Sequence, residues 1–106
     1  MAEPTTLRCK IAERIALVTL DRPPVNAMNL AMHADLRACF DRLSDDPAVG
    51  AVILTGAGRV FCAGADMKER AAFPDEPGFR WRQARSVREC LNAVTECHKP
   101  VIAALN

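Results

Sequence analysis

Residues 59–70 read RVFCAGADMKER, and this run has the composition and spacing to bind an oxygen that becomes negative. Asp66 and Glu69 stand in capping-box spacing. The Asp66 carboxylate can accept from the amide of Glu69, and Glu69 can reach back to the amide of Asp66. The spacing therefore predicts a helix opening near Met67. The amides of Gly64 and Ala65 then lie at the positive end of the helix dipole, where free N–H groups favour an anionic oxygen. Ala63, Gly64 and Ala65 are small enough to let a ligand approach the backbone. Polarisation of an acyl carbonyl needs this arrangement, although an ordinary tight turn into a helix would use the same residues. Glu69 is an acid or base by type, but its spacing from Asp66 already accounts for it as a capping residue. Cys62 lies inside the motif and reads as a small buried apolar residue rather than a reactive thiol. His33 and His98 could titrate near neutrality, and each reads as a helix residue without a partner.

The elements that must position this run follow from periodicity. Leu7 to Ile11 and Ile15 to Leu20 are short apolar, β-branched runs separated by Ala12, Glu13 and Arg14, which predicts a hairpin. Asp21 to Asn29, DRPPVNAMN, contains a proline pair that enforces an extended loop, and Asn29 can cap the helix after it. From Leu30 to Leu43 the apolar residues Met32, Leu36, Cys39, Phe40 and Leu43 share one helical face. Ser44 to Pro47 ends that helix, and Ala51 to Thr55 reads as a buried strand feeding the Gly56 to Gly58 turn. The segment from Phe73 to Gly78 contains FPDEPG, which predicts an exposed loop able to move as a lid. A longer helix, about Phe79 to Cys97, carries Ala84, Val87, Leu91, Val94 and His98 on one face. Pro100 starts a last strand, and Val101 to Leu105 is continuously apolar, as a strand buried on both faces would be. Alternating strands and helices predict an α/β class with largely parallel pairing.

Length and composition narrow the function classes. One domain suits 106 residues, and 50% hydrophobic with 25% charged residues is ordinary for a globular protein. Basic and acidic residues number 14 and 13, so no electrostatic footprint for nucleic acid exists. Arg80, Arg82, Arg85 and Arg88 form a basic concentration that reads as the solvated face of a helix, with a contact to a phosphorylated cofactor as the other reading. The five cysteines form no CxxC pair and no Cys/His spacing for zinc, and their odd number argues against a secreted disulfide framework. MAEPTTLRCK lacks the apolar core of a signal peptide, and no membrane-spanning run is present, so the expected location is the cytoplasm.

The run FCAGADMKE resembles the FxAGADxKE signature of the enoyl-CoA hydratase/isomerase (crotonase) superfamily. The resemblance extends to IALVTLDRPPVNAMNLAMHADLRACFDRL at residues 15–43, AVILTGAG at 51–58 and KPVIAALN at 99–106. Four segments in the family's order are far more specific than AGAD alone. The resemblance implies a ClpP/crotonase-like ββα spiral of which the first turns are present, so that residues 1–106 form the N-terminal part of a single crotonase-like domain. It implies an acyl-CoA thioester substrate in fatty acid metabolism, whose enolate oxygen is held by two backbone amides, with coenzyme A arriving as part of the substrate and no permanent cofactor or metal. Ala65 matches the residue that gives the first amide. Val25, Ala27, Ala63, Asp66 and Met67 match positions lining the CoA pocket, which would touch it mainly through backbone and small apolar surface. The loop between Pro23 and Asn26 is one residue shorter than the commoner family form. The family's second donor comes from a glycine-rich turn after a segment like KPVIAALN, and its catalytic carboxylates follow. Neither is among these 106 residues, so the isolated chain is expected to be inactive. Crotonases assemble as trimers or dimers of trimers, which is the expectation for the parent.

Two other readings stand beside this one. A non-catalytic acyl-CoA-binding or association module would share every feature above. A nicotinamide-dinucleotide-binding protein is suggested by AVILT followed by GAG, but a small residue is needed three positions after Gly58 and Phe61 stands there.

Overall fold

The computed structural model describes residues 3–106, so Met1 and Ala2 of the N-terminal stretch read above lie outside the described residues. The element order is β1 (Leu7–Ala12), β2 (Ile15–Leu20), α1 (Leu30–Asp45), β3 (Ala51–Gly56), α2 (Met67–Ala71), α3 (Phe79–Thr95) and β4 (Val101–Ala103). The strands form one sheet in the order β1-β2-β3-β4. β1 and β2 are the antiparallel hairpin expected, whereas β2–β3 and β3–β4 pair in parallel. Glu13 and Arg14 turn the hairpin with positive φ, 51° and 67°.

The core lies between one face of the sheet and α1. Ala16, Val18, Leu20, Val52 and Leu54 point from the strands toward Met32, Leu36, Cys39, Phe40 and Leu43. This is the helical face legible in the sequence. Asn29 caps α1, its side chain accepting from the Met32 amide at 2.9 Å. Asp35 ties the chain before β1 to α1 by accepting from the amides of Thr5 and Thr6 and from the Thr6 hydroxyl.

α3 packs on α1, but with a face rotated from the one expected. Cys90 is its fully buried residue, Ala93, Val94 and the following Cys97 pack against the core, and Leu91 is 54% exposed. α3 ends at Thr95, so His98 is not on a helix; its amide donates to the Ser44 hydroxyl at 3.2 Å. β4 is also shorter than the apolar run that announces it and is not buried on both faces. Val101 is half-buried, and Ile102 is 58% exposed on the face away from the helices. The reason is geometric: both long helices pack on one face of the sheet, and no described element covers the other.

Candidate functional site

The site is built where the loops that follow β2 and β3 converge at the carboxyl ends of those strands. Asn26, which sequence reasoning passed over, holds them together. It is 1% exposed with φ of 55°, a conformation asparagine tolerates. Its side chain accepts from the Arg22 amide at 2.8 Å and donates to the carbonyls of Val60 at 2.8 Å, Ala57 at 3.1 Å and Phe61 at 3.3 Å. Gly56 makes that convergence possible, because a Cβ there would stand 2.4 Å from the Phe61 carbonyl oxygen. An Asn in a proline-rich loop is the only trace of this role in the sequence.

A short parallel bridge then lays the AGAD run beside the loop from β2. Met28 donates to the Gly64 carbonyl at 2.7 Å and accepts from the Asp66 amide at 3.0 Å, while Ala63 donates to the Val25 carbonyl at 3.0 Å. Met28 thus pairs with the residues on either side of Ala65, and the Ala65 N–H faces away from it. Among the described residues that amide has no hydrogen-bond partner, and Ala65 is exposed. Gly64, with φ of 99°, makes the turn that aims it.

α2 opens as expected. Asp66 accepts from the Glu69 amide at 3.0 Å and forms an ion pair with Arg22 at 2.9 Å. Both contacts favour the carboxylate and hold its pKa below the usual value, the Glu69 amide more strongly than Arg22. The second arm of the capping box is not formed. The Asp66 amide is committed to Met28, and Glu69 Oε1 instead accepts from the Leu30 amide at 2.9 Å. Glu69 therefore caps α1 from α2, and its carboxylate binds two helices together rather than one turn to itself.

An apolar cavity of about 200 Å³ opens beside the Ala65 amide, lined by Met28, His33, Glu69, Arg70, Phe73, Gln83, Val87 and Leu91 as well as Ala65. A second cavity of about 170 Å³ shares Met28 and Leu91 and is walled by Leu20, Leu54, Phe61, Cys62 and Cys90 among others. Cys62 is half-buried there, and its Sγ accepts from the Gly64 amide at 3.4 Å. The His33 side chain has no hydrogen-bond partner among the described residues, is only 6% exposed and forms part of the first cavity's wall. Burial lowers its pKa from 6.5, with the nearby Glu69 charge opposing the shift.

The other residues singled out in the sequence cluster nearby. Val25 and Met67 are exposed, at 37% and 69%, and Ala27 is half-buried and gives its carbonyl to Arg22 at 2.9 Å. Arg80, Arg82, Arg85 and Arg88 lie on the exposed face of α3, Arg82 pairing with Glu76 and Arg85 with Glu89. The turn after β3 does not lead into a helix until Met67, so the strand-to-helix geometry of a dinucleotide fold is absent. Among the described residues no three His, Cys, Asp or Glu are grouped to hold a metal ion, and no helix is long and apolar enough to cross a membrane.

A family model described as enoyl-CoA hydratase/isomerase matches residues 10–106. The chain is 40% identical over 98 residues to a probable enoyl-CoA hydratase of Mycobacterium leprae, covering 87% of this chain and 33% of that protein. It is 38% identical over 109 residues to a probable enoyl-CoA hydratase of Mycobacterium tuberculosis, covering 100% and 41%. The crystal structure of an enoyl-CoA hydratase/isomerase from Mycobacterium paratuberculosis superimposes with a TM-score of 0.86 at 34% identity, over 97% of this chain and 42% of that one. This chain therefore spans a third to two fifths of the length of these relatives.

Proposed function

Since this chain belongs to the enoyl-CoA hydratase/isomerase family, with the crotonase fold, we propose that it binds an acyl-CoA thioester and that the Ala65 amide donates to the thioester oxygen as that oxygen becomes an enolate. One observation carries this reading. The Ala65 N–H is unpartnered among the described residues and sits just before the N-terminus of α2, and Ala65 lines an apolar cavity large enough for an acyl group. Val25, Ala27, Ala63, Asp66 and Met67 would receive the CoA portion through backbone and small apolar surface. The Asp66 carboxylate itself is occupied by Arg22 and the Glu69 amide, so its part is to hold the turn rather than to touch the cofactor.

One donor is half of what the chemistry needs. Loss of a single oxyanion donor costs on the order of 3 kcal/mol of transition-state stabilisation. These residues contain neither the second amide nor the hydratase carboxylates that the family resemblance implies. We therefore expect the isolated chain to bind acyl-CoA without turning it over, and the parent to act as a hydratase or isomerase, trimeric or a dimer of trimers, in the cytoplasm.

A single chemical change tests the role of Ala65. Replacing its amide by an ester removes the N–H and keeps the side chain, and a chain of this length is accessible to ligation of synthetic segments. Titration with hexanoyl-CoA should move the Ala65 amide resonance in the all-amide chain, and the ester should bind several-fold more weakly. Equal affinity of the two would sink the assignment, and turnover of crotonyl-CoA by the isolated chain would refute its expected inactivity.

A further inference from the structure

His33 has no task in the chemistry above. It lies in the first turn of α1, with 6% of its surface exposed, and lines the same cavity as Ala65. Nδ1 is fully enclosed and has no hydrogen-bond partner among the described residues. Nε2 has no partner there either, yet it is not among the fully enclosed atoms. The tautomer follows from that difference. An enclosed N–H with no acceptor is expensive, so the neutral ring carries its proton on Nε2, the nitrogen that a solvent or ligand atom can reach.

The cavity thus offers the His33 donor beside the apolar wall of Met28, Phe73, Val87 and Leu91, with Arg70 and Gln83 among its other polar lining. Glu69 lines the same space and is close enough for its charge to act on His33. Glu69 Oε1 is held by the Leu30 amide, while no partner of Oε2 is found among the described residues. A donor beside a carboxylate suits a group that can both accept and donate. A hydroxyl meets that requirement, whereas a methylene satisfies neither group.

We propose that His33 is a specificity-determining residue that selects acyl-CoA thioesters carrying a hydroxyl on the acyl tail, Nε2–H donating to the hydroxyl oxygen. This rests on the thioester reading of the Ala65 site and adds the substrate class to it. A tail without the hydroxyl leaves the histidine donor unpaired in the filled cavity, which is the larger part of the discrimination.

The test compares hexanoyl-CoA with ω-hydroxyhexanoyl-CoA, two saturated ligands that need no turnover, by following the Ala65 and His33 resonances of the isotopically labelled chain. The hydroxylated ligand should bind roughly threefold to tenfold more tightly. The preference should disappear in His33→Phe and partly return in His33→Gln, which restores an N–H donor. Equal affinity of wild type for the two ligands, with the Ala65 resonance moving in both, would overturn the selection by His33 and leave the thioester site standing. No response of Ala65 to either ligand would overturn both. The wild-type comparison decides the matter even where a His33 variant fails to fold.

Discussion

Asn26 and His33 are two buried polar residues with opposite circumstances. Asn26 has both its side-chain oxygen and its side-chain nitrogen engaged inside the protein, and its removal would leave the Arg22 amide without its acceptor and three loop carbonyls without this donor. Asn26→Ala should therefore lower stability by about 2–3 kcal/mol, read from urea unfolding. It should also blur the amide resonances of residues 57–61. The His33 side chain is buried with no hydrogen-bond partner among the described residues and with a lowered pKa. The unfolded chain binds its proton more tightly than the folded one, so stability is full above about 6.5 and falls as the pH drops below that value. His33→Phe should flatten that part of the urea-midpoint profile, whereas an unchanged slope would place the titration elsewhere. The carboxylate of Asp66 contributes at a separate step, its stabilisation being present above 3.8 and lost as pH falls toward its lowered folded pKa.

Among the elements, α1 is held at its N-terminus from two sides. Asn29 accepts from the Met32 amide, and Glu69 of α2 accepts from the Leu30 amide. α2 spans only Met67–Ala71 and buries no residue, so it cannot owe its place to packing. It is located instead by the Met28 bridge, the Arg22 ion pair and the Glu69 contact. Asn29→Ala should cost about 1 kcal/mol as a lost cap. Because α2 and its bridge are held independently of that cap, the Ala65 amide shift in two-dimensional NMR should stay in place. Movement of that resonance would show that the α1 N-terminus and the donor turn form one cooperative unit.

For the molecule as a whole, the consequence of packing both long helices on one side is an uncovered sheet. Leu17, Ile53 and Ile102 stand in register across β2, β3 and β4 on the open face, with Ile15 two residues along. Leu17 and Ile15 are each 39% exposed and Ile102 is 58%. The radius of gyration, 14.2 Å with extents of 47 × 29 × 23 Å, exceeds the roughly 13 Å of a compact chain this long. A row of exposed aliphatic side chains on an uncovered sheet face drives association. The isolated chain should sediment faster as its concentration rises, and Leu17→Thr combined with Ile102→Thr should reduce that dependence while keeping strand propensity. Concentration-independent sedimentation of the wild type would mean that the face is tolerated in water.

Periodicity and capping chemistry are local, and they were legible without the fold. The α1 stripe of Met32, Leu36, Cys39, Phe40 and Leu43, the β1–β2 hairpin, the Asn29 cap and the start of α2 at Met67 all depend on residues within a few positions of one another. So does the AGAD run, whose small residues and helix start pointed to the Gly64 and Ala65 amides, the family resemblance then choosing Ala65. What the tertiary structure decided is how distant groups share partners. Glu69 caps α1 rather than closing its own box, because Met28 had already taken the Asp66 amide. α3 turns Cys90 inward and leaves Leu91 out, because the strip facing α1 is chosen by contact across helices and not by apolar count along one. Asn26 and His33 acquire their significance only when the chain folds the loops around one and closes a cavity beside the other. Hydrogen bonds between residues thirty or more positions apart leave no period in a sequence.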